Sequence, residues 1–480
     1  KVFYYFEQIC NIPHGSYHEK AISDYLKEFA KERGITCYQD DLYNIIMLLP
    51  ASKGRENEEP VILQGHMDMV CEPRPGSGID MEKEGLQLEV EGDWISAKDT
   101  TLGGDDGIAV AYMLAIADDP SVSHPPLEYV ITVSEEVGME GAVGIDLSML
   151  KGRTLINIDS EDEGIFTVSC AGGLRADATI PVKRQQPKND SDKDVYELVV
   201  SGLLGGHSGC EIDKKRANAN MLMGRALYAL SEKCEIQLFS LEGGNKDNAI
   251  PIRCRALIGI KKEDQAVAAE QMEKVKAMFA AEYAATDKDI SVTLKEMQAE
   301  ESKEDQSMQQ PLTAESLEKV TSYLMSVPNG IQNMSASVEG LVETSLNLGV
   351  LKLEEESLIA THSVRSSVTT RKEYVAARLS CLAKAFGGSI SIRGDYPAWE
   401  YKEDSKLRDK VILLYREMYG KEPVVEGIHA GLECGILASK LPGLDAVSMG
   451  PDMRDIHTFN EKLSISSTER VYRFLLKLLA

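Results

Sequence analysis

"VILQGHMDMV" (residues 61–70) sets His66 and Asp68 two places apart, directly behind an apolar run. A buried strand ending in a polar loop is one reading. A metal ligand with its orienting carboxylate is the other, and with only 8 histidines in 480 residues the rest of the chain decides. Apolar runs of the same kind recur as "NIIMLLP" from Asn44, "LEYVITV" from Leu127 and "TLINID" from Thr154. Between the runs at 61 and 127 lies "GIAVAYMLAIADD", a helix predicted to start near Gly107. Upstream, Ala21, Ile22, Tyr25, Leu26 and Phe29 form a helical stripe closed by Gly34. Strands alternating with helices predict an α/β domain whose mostly parallel central sheet is flanked by helices.

The same style returns near the C-terminus. "KLRDKVILLYREMYG", "LECGILASKL" and "ERVYRFLLKLLA" read as helices, and "PVVEGIH" and "DAVSMG" as strands. The middle reads differently. Segments such as "DVYELVVSG" and "CRALIGIKKE" alternate polar and apolar residues, with helices such as "RANANMLMGRALYALSEK" between them. Half-exposed antiparallel strands with helices on one face predict an α+β domain inserted into the first. The expected division is a discontinuous α/β domain, 1–171 and 388–480, with the insert at 172–387. The polar tracts 183–194 and 294–311 read as surface excursions.

A chain of this length exceeds one ordinary core, so two or three domains are expected. No run approaches the about 18 apolar residues of a membrane helix. The opening "KVFYYFEQIC" lacks the basic start and apolar stretch of a secretory signal. With 52 Lys and Arg against 77 Asp and Glu, the formal charge is −25, which repels phosphate backbones and argues against nucleic acid as a partner. The 9 cysteines form no C-x-x-C pair, so neither a thiolate zinc ribbon nor a disulfide framework is expected, and the cytoplasm is the expected location.

Four acidic or histidine-bearing elements sit beside the ends of apolar runs: "GHMD", "GGDDG", "SEEVG" and "NIDSED". A fifth, "DIHTFNE" (455–461), follows the strand "DAVSMG". Each alone has an ordinary explanation. Asp and Gly dominate turns, and paired glutamates are commonly solvated charges at a loop. Together they mark one mouth, because ligands in open α/β sheets bind beyond the carboxyl ends of the strands. So dense an acidic mouth repels itself unless a cation neutralises it. Two histidines with several carboxylates make a mixed N/O set suited to zinc, with manganese or cobalt as substitutes. Two metals about 3.5–4 Å apart would share a water and suit activation of hydroxide. In extended backbone residues i and i+2 face one side, so Asp68 can accept from the His66 nitrogen that holds no metal. Of the adjacent Glu135 and Glu136, one can ligate while the other stays free as general base.

In this order H-x-D, a D-rich turn, E-E, an isolated D and a late His, the chain resembles the co-catalytic zinc exopeptidase family. That family includes carboxypeptidase G, peptidase T and the bacterial aminoacyl-histidine dipeptidases (Xaa-His dipeptidases, peptidase D). The match runs essentially end to end. "FEQICNIPHGSYHEKAISDYLKEFA", "KDTTLGGDDGIAVAYMLA", "LLGGHSGCEIDKKRANAN" and "NAIPIRC" look most like the aminoacyl-histidine dipeptidases. The resemblance implies that His66 and Asp159 hold one metal, that Glu136 and His457 hold the other, and that Asp105 bridges, with Asp106 as the fallback. Asp68 would orient His66, and Glu135 would be the general base. Many relatives continue D-D-K-G where this chain has D-D-G-I, which moves the reading away from peptidase T.

By the same resemblance His207 in "GGHSG" reaches the active site, from its own chain or a partner's, and polarises the substrate carbonyl. The plainer alternative is a Gly-rich hairpin with a solvent-facing histidine. Asn248 in "DNAIP", Arg365 in "SVRSS" and Gly431 in "HAGLECG" are candidates for holding substrate, and His429 adjoins the last. Arginine suits a carboxylate through its planar two-point fork. The implied activity is a two-zinc dipeptidase acting on Xaa-His and related dipeptides as a homodimer, with neither nucleic acid nor membrane as partner. A related aminoacylase or tripeptidase would share every ligand. A non-catalytic metal-binding protein of this fold would have no need of a free base beside the metals.

Overall fold

The computed structural model describes residues 1–186, 193–298 and 310–480, so the centres of the two polar tracts, 187–192 and 299–309, lie outside the described residues. Two compact units emerge. One comprises Lys1–Cys170, Tyr401–Gly427 and Leu432–Ala480, and the other Ala171–Glu400 and Ile428–Gly431. The boundary read from the sequence at 387/388 differs from this one for a local reason. Gly387, at φ 73°, turns the chain after the helix Thr369–Ala385, which looks like a domain exit. Instead the next strand, Ser389–Tyr396, pairs antiparallel with Gly172–Pro181, from Ser389↔Thr179 to Tyr396↔Gly173. Ile428–Gly431 joins the same unit because the Ala171 amide donates to the carbonyls of Ile428 (3.1 Å) and Ala430 (2.9 Å).

The first unit is built on eight strands in the order Thr36–Gln39, Ile45–Leu49, Leu127–Thr132, Val61–His66, Thr154–Asn157, Asp445–Ser448, Ile165–Cys170, Val424–Ile428. The four central strands, Leu127–Thr132 through Asp445–Ser448, run parallel. Pairing turns antiparallel on both sides of them, so the sheet is parallel at its centre and mixed at its flanks. Central strands buried on both faces read as unbroken apolar runs, whereas Thr36–Gln39 alternates in exposure. The helix Gly104–Ala117 is apolar all round and correspondingly buried. It packs behind the sheet beside Val2–Cys10, a helix too short and too aromatic to announce itself in the sequence. A small four-stranded sheet, Met453–Arg454, Lys462–Ser464, Trp94–Ala97 and Leu88–Glu91, carries the loop that bears His457. Among the described residues no helix is long and apolar enough to cross a membrane.

The second unit is an antiparallel sheet in the order Ser291–Glu296, Lys193–Ser201, Cys254–Lys261, Ile236–Gly243, Val342–Leu353, Ser357–Ser366, Gly172–Pro181, Ser389–Tyr396, with Gly330–Met334 also paired to Val342–Leu353. Alternate strand residues such as Ala176, Ala178 and Ile180 form one core with Leu222, Val275, Val320 and Leu379 from four helices. His362, fully buried in the strand Ser357–Ser366, is pushed down to about 4 by that burial. It is therefore neutral in the fold, while the unfolded chain takes up its proton near pH 6.5. Its contribution is complete above that pH and is lost as pH falls through 4, by about 1.4 kcal/mol per unit. Urea midpoints measured between pH 7 and 4 should fall more steeply for wild type than for His362→Gln. Equal slopes would remove His362 from the acid response.

Candidate metal centre and active site

The candidate ligands of the first unit meet at the carboxyl edge of its central sheet. His66 ends the strand Val61–His66, Glu135 and Glu136 lie just past Leu127–Thr132, and Asp159 just past Thr154–Asn157. Asp105 and Asp106, joined by a cis peptide, open the helix Gly104–Ala117 with non-helical dihedrals. His457, at φ 60°, hangs from the small sheet. The Asp105 carboxylate stands between the two imidazoles: Oδ1 is 3.0 Å from His66 Nε2 and Oδ2 is 3.2 Å from His457 Nε2. His66 Nε2 is also 3.7 Å from Asp159 Oδ1, and His457 Nε2 is 3.0 Å from Glu136 Oε1. Donors sharing one tetrahedral zinc stand roughly 3.3 Å apart, so these separations fit groups gathered on an ion. Ligand atoms of Asp105, Glu136 and His457 lie within 4.8 Å of one another, as do those of His66, Glu135 and Glu136, and of His66, Asp106 and Asp159. Asp106 turns to the strand instead, where its Oδ2 accepts from the His66 amide at 3.2 Å.

The electrostatics point the same way. Burial pushes Glu135 well above the usual carboxylate range, and Asp159, Glu433 and Glu136 add to it against His66. Burial likewise pushes Asp159 up to about 6 and Glu433 up to about 7. Burial opposes ionisation of Asp105 too, yet hydrogen bonds to His457 and His66 hold it below its ordinary value. His457 is pushed up to about 10 by Asp105 and Glu136. His66, against its burial, is raised by Asp105, Asp159 and Asp68. A pocket that raises Glu135, Asp159 and both imidazoles together is short of positive charge, and divalent cations held by these N and O donors would supply it.

Within the second unit another group gathers. The short strand Gly206–His207 pairs with Ala249–Ile250, and the Ser208 amide donates to the Asn248 carbonyl at 2.8 Å. His207 and Asn248 line a cavity of about 890 Å³. Gly209 is wedged where a Cβ would meet the His429 carbonyl at 2.8 Å, His207 Cε1 at 2.9 Å and Arg365 Nε at 3.1 Å. So His207, Arg365 and the 428–431 segment that includes Gly431 converge in one chain. The Cys210 amide donates to His207 Nδ1 at 3.1 Å, which leaves the proton of the neutral ring on Nε2. Burial, with Arg365 nearby, pushes His207 down and favours that neutral form. Arg365 Nη1 donates to Tyr396 Oη at 3.1 Å.

A family model described as the peptidase dimerisation domain of the M20 group matches residues 199–287. Over 474 residues, 99% of this chain and 96% of the relative, the sequence is 34% identical to the cytosol non-specific dipeptidase of Escherichia coli K12. The chain belongs to the dipeptidases of the M20 metallopeptidase family. A crystal structure of aminoacylhistidine dipeptidase from Vibrio alginolyticus superposes with a TM-score of 0.93 at 34% identity, covering 100% of this chain and 96% of that one. Aminopeptidase PepT from Bacillus cereus shares the fold, with a TM-score of 0.57 at 15% identity over 100% of this chain and 97% of its own.

In this M20 dipeptidase Asp68 does more than its spacing suggested. His66 Nδ1 is 3.0 Å from the Asp68 backbone carbonyl and 3.4 Å from its carboxylate Oδ1. The carboxylate also accepts from the amides of Glu135 (3.0 Å) and Glu136 (3.4 Å) and from Ser16 Oγ (2.8 Å). Other supports come from far along the chain. Glu461, 3% exposed, accepts from the amides of Leu102 (2.8 Å), Gly103 (3.2 Å) and Gly104 (2.8 Å) and so fixes the loop that delivers Asp105. Glu433 Oε2 accepts from Gln64 Nε2 (2.5 Å) and Thr132 Oγ1 (2.6 Å) beneath His66. A glutamine inside the apolar run "VILQGH" was the available signal for that network.

Proposed function

We propose that this M20 dipeptidase hydrolyses Xaa-His and related dipeptides with two divalent cations, zinc in the first instance and manganese or cobalt as substitutes. His66 and Asp159 would hold one cation, Glu136 and His457 the other, and Asp105 both. When bound, such a pair supplies an acidified water and a Lewis acid for the scissile carbonyl. Glu135 would take the proton of the attacking water on its carboxylate as the water oxygen bonds to the scissile carbonyl carbon, and return it to the amine nitrogen as the C–N bond breaks. Asp68 keeps His66 oriented through Nδ1. His207 donates from Nε2 to the developing oxyanion. Arg365 donates from its guanidinium fork to the substrate carboxylate, with Asn248 and Gly431 as further substrate contacts. A homodimer is supported by the match to a dimerisation domain, and a cytoplasmic location by the cytosolic relative.

The observation that carries the reading is the Asp105 carboxylate between two imidazoles, with the raised acid Glu135 alongside. The test is hydrolysis of β-alanyl-histidine, alanyl-histidine, non-histidine dipeptides, tripeptides and acyl-amino acids after chelation and after zinc or manganese add-back. Metal-restored cleavage confined to dipeptides, histidine dipeptides included, is expected. Cleavage spread evenly over dipeptides would favour the breadth implied by the name of the Escherichia coli relative. Preference for acyl-amino acids or tripeptides would overturn the substrate class.

A further inference from the structure

Glu19 stands at the N-cap of the helix Lys20–Glu32, yet its side chain does not cap that helix. It is 3% exposed, and its Oε1 accepts from the Tyr17 amide at 3.0 Å, the Ser134 amide at 3.0 Å and Ser134 Oγ at 2.8 Å. Ser134 is itself buried and lies in left-handed backbone at φ 53°, a conformation disfavoured for a residue with a Cβ. It is the corner between the strand Leu127–Thr132 and the Glu135–Glu136 pair. The preceding residue is fixed separately, since the Val133 amide donates to Asn44 Oδ1 at 3.1 Å. The amides that follow are taken by Asp68, which Ser16 holds in turn. Glu19 therefore supplies the acceptor at the one corner residue that Asn44 and Asp68 leave to it.

We infer that Glu19 is a positioning residue for Glu135: its carboxylate oxygen holds the Ser134 corner and so sets the direction in which Glu135 points. The inference rests on the reading of Glu135 as the base. In this role Glu19 touches neither substrate nor the reacting atoms. What matters is an acceptor atom at a fixed place, so a glutamine, whose amide oxygen can accept the same three bonds, serves nearly as well. An alanine leaves a buried N–H and O–H without a partner and frees the corner to relax.

The test uses the metal-loaded enzyme with alanyl-histidine, alongside amide exchange of the metal-free protein over residues 133–136. Glu19→Ala is expected to lower kcat about 10- to 100-fold, with KM within about twofold and metal content unchanged. Exchange over 133–136 should speed up by roughly tenfold or more. Glu19→Gln should stay within roughly threefold of wild type in kcat and keep wild-type exchange. Wild-type kcat in Glu19→Ala, unchanged exchange, or a Glu19→Gln as slow as the alanine variant would each overturn the assignment. If Glu19→Ala does not fold, Ser134→Ala decides, because it removes only the 2.8 Å hydroxyl bond. A loss of roughly 3- to 10-fold in kcat at unchanged KM and melting temperature supports the role, and wild-type kcat refutes it. Glu135→Gln separates the two levels. Full activity in that variant removes the base itself, whereas an inactive Glu135→Gln beside a fully active Glu19→Ala removes only the role of Glu19.

Discussion

Glu135→Gln is expected to lower kcat about 1,000-fold, which corresponds to about 4 kcal/mol in the barrier, while metal content and KM stay near wild type. The amide has the shape of the carboxylate, and the Glu135 backbone remains held by Asp68 at 3.0 Å, so the corner is undisturbed. What is lost is an oxygen that can take a proton and give it back. Burial already raises the Glu135 carboxyl well above its usual range, the direction that strengthens a base. Glu136→Gln should behave differently, because Glu136 faces His457 at 3.0 Å and its loss is expected to empty a metal position. Steady-state kinetics with metal analysis of both variants separates the roles. A Glu135→Gln enzyme that kept wild-type kcat, or one that lost metal while Glu136→Gln kept it, would exchange or remove the assignments.

How much of this was legible depends on what each residue touches. His66, Asp159, Glu136 and His457 could be picked out because each follows an apolar run, and strand ends in a parallel sheet are where side chains converge. The unbroken runs at 61, 127 and 154 identified central strands for the same reason. Asp105 against Asp106 could not be settled by spacing. Adjacent residues at a helix start separate only through dihedrals, and here one turns to the imidazoles and the other to the His66 amide. The supports were hidden further. Glu19, Glu433 and Glu461 act across separations of 115, 301 and up to 359 residues, and no local pattern couples such positions. The chain does not leave the second unit at Gly387–Gly388, because strand pairing, a long-range fact, turns it back to the sheet.

Asp105→Ala is expected to abolish dipeptidase activity, by more than about 1,000-fold, and to weaken both metals together. His66 and His457 are held to each other's neighbourhood through this one carboxylate, at 3.0 and 3.2 Å. Without it each cation would lose an anionic donor and the screening between the two charges. His457→Ala, by contrast, removes a donor from one position only and should leave the His66–Asp159 position occupied. The loss should register in stability as well as rate. A ligand present at 100 times its Kd stabilises the folded state by about 2.7 kcal/mol, so chelation should lower the melting temperature of wild type. Asp105→Ala should melt near the chelated wild type and respond little to chelator. Its own unfolding is further altered by relief of the acidic crowding around Asp159, so the decisive quantity is the difference with and without metal rather than either temperature alone. Measured by metal analysis and thermal melts, an Asp105→Ala protein that kept one cation at wild-type affinity would assign Asp105 to a single position. The bridging carboxylate would then have to be sought at Asp106, whose Oδ2 now faces the His66 amide.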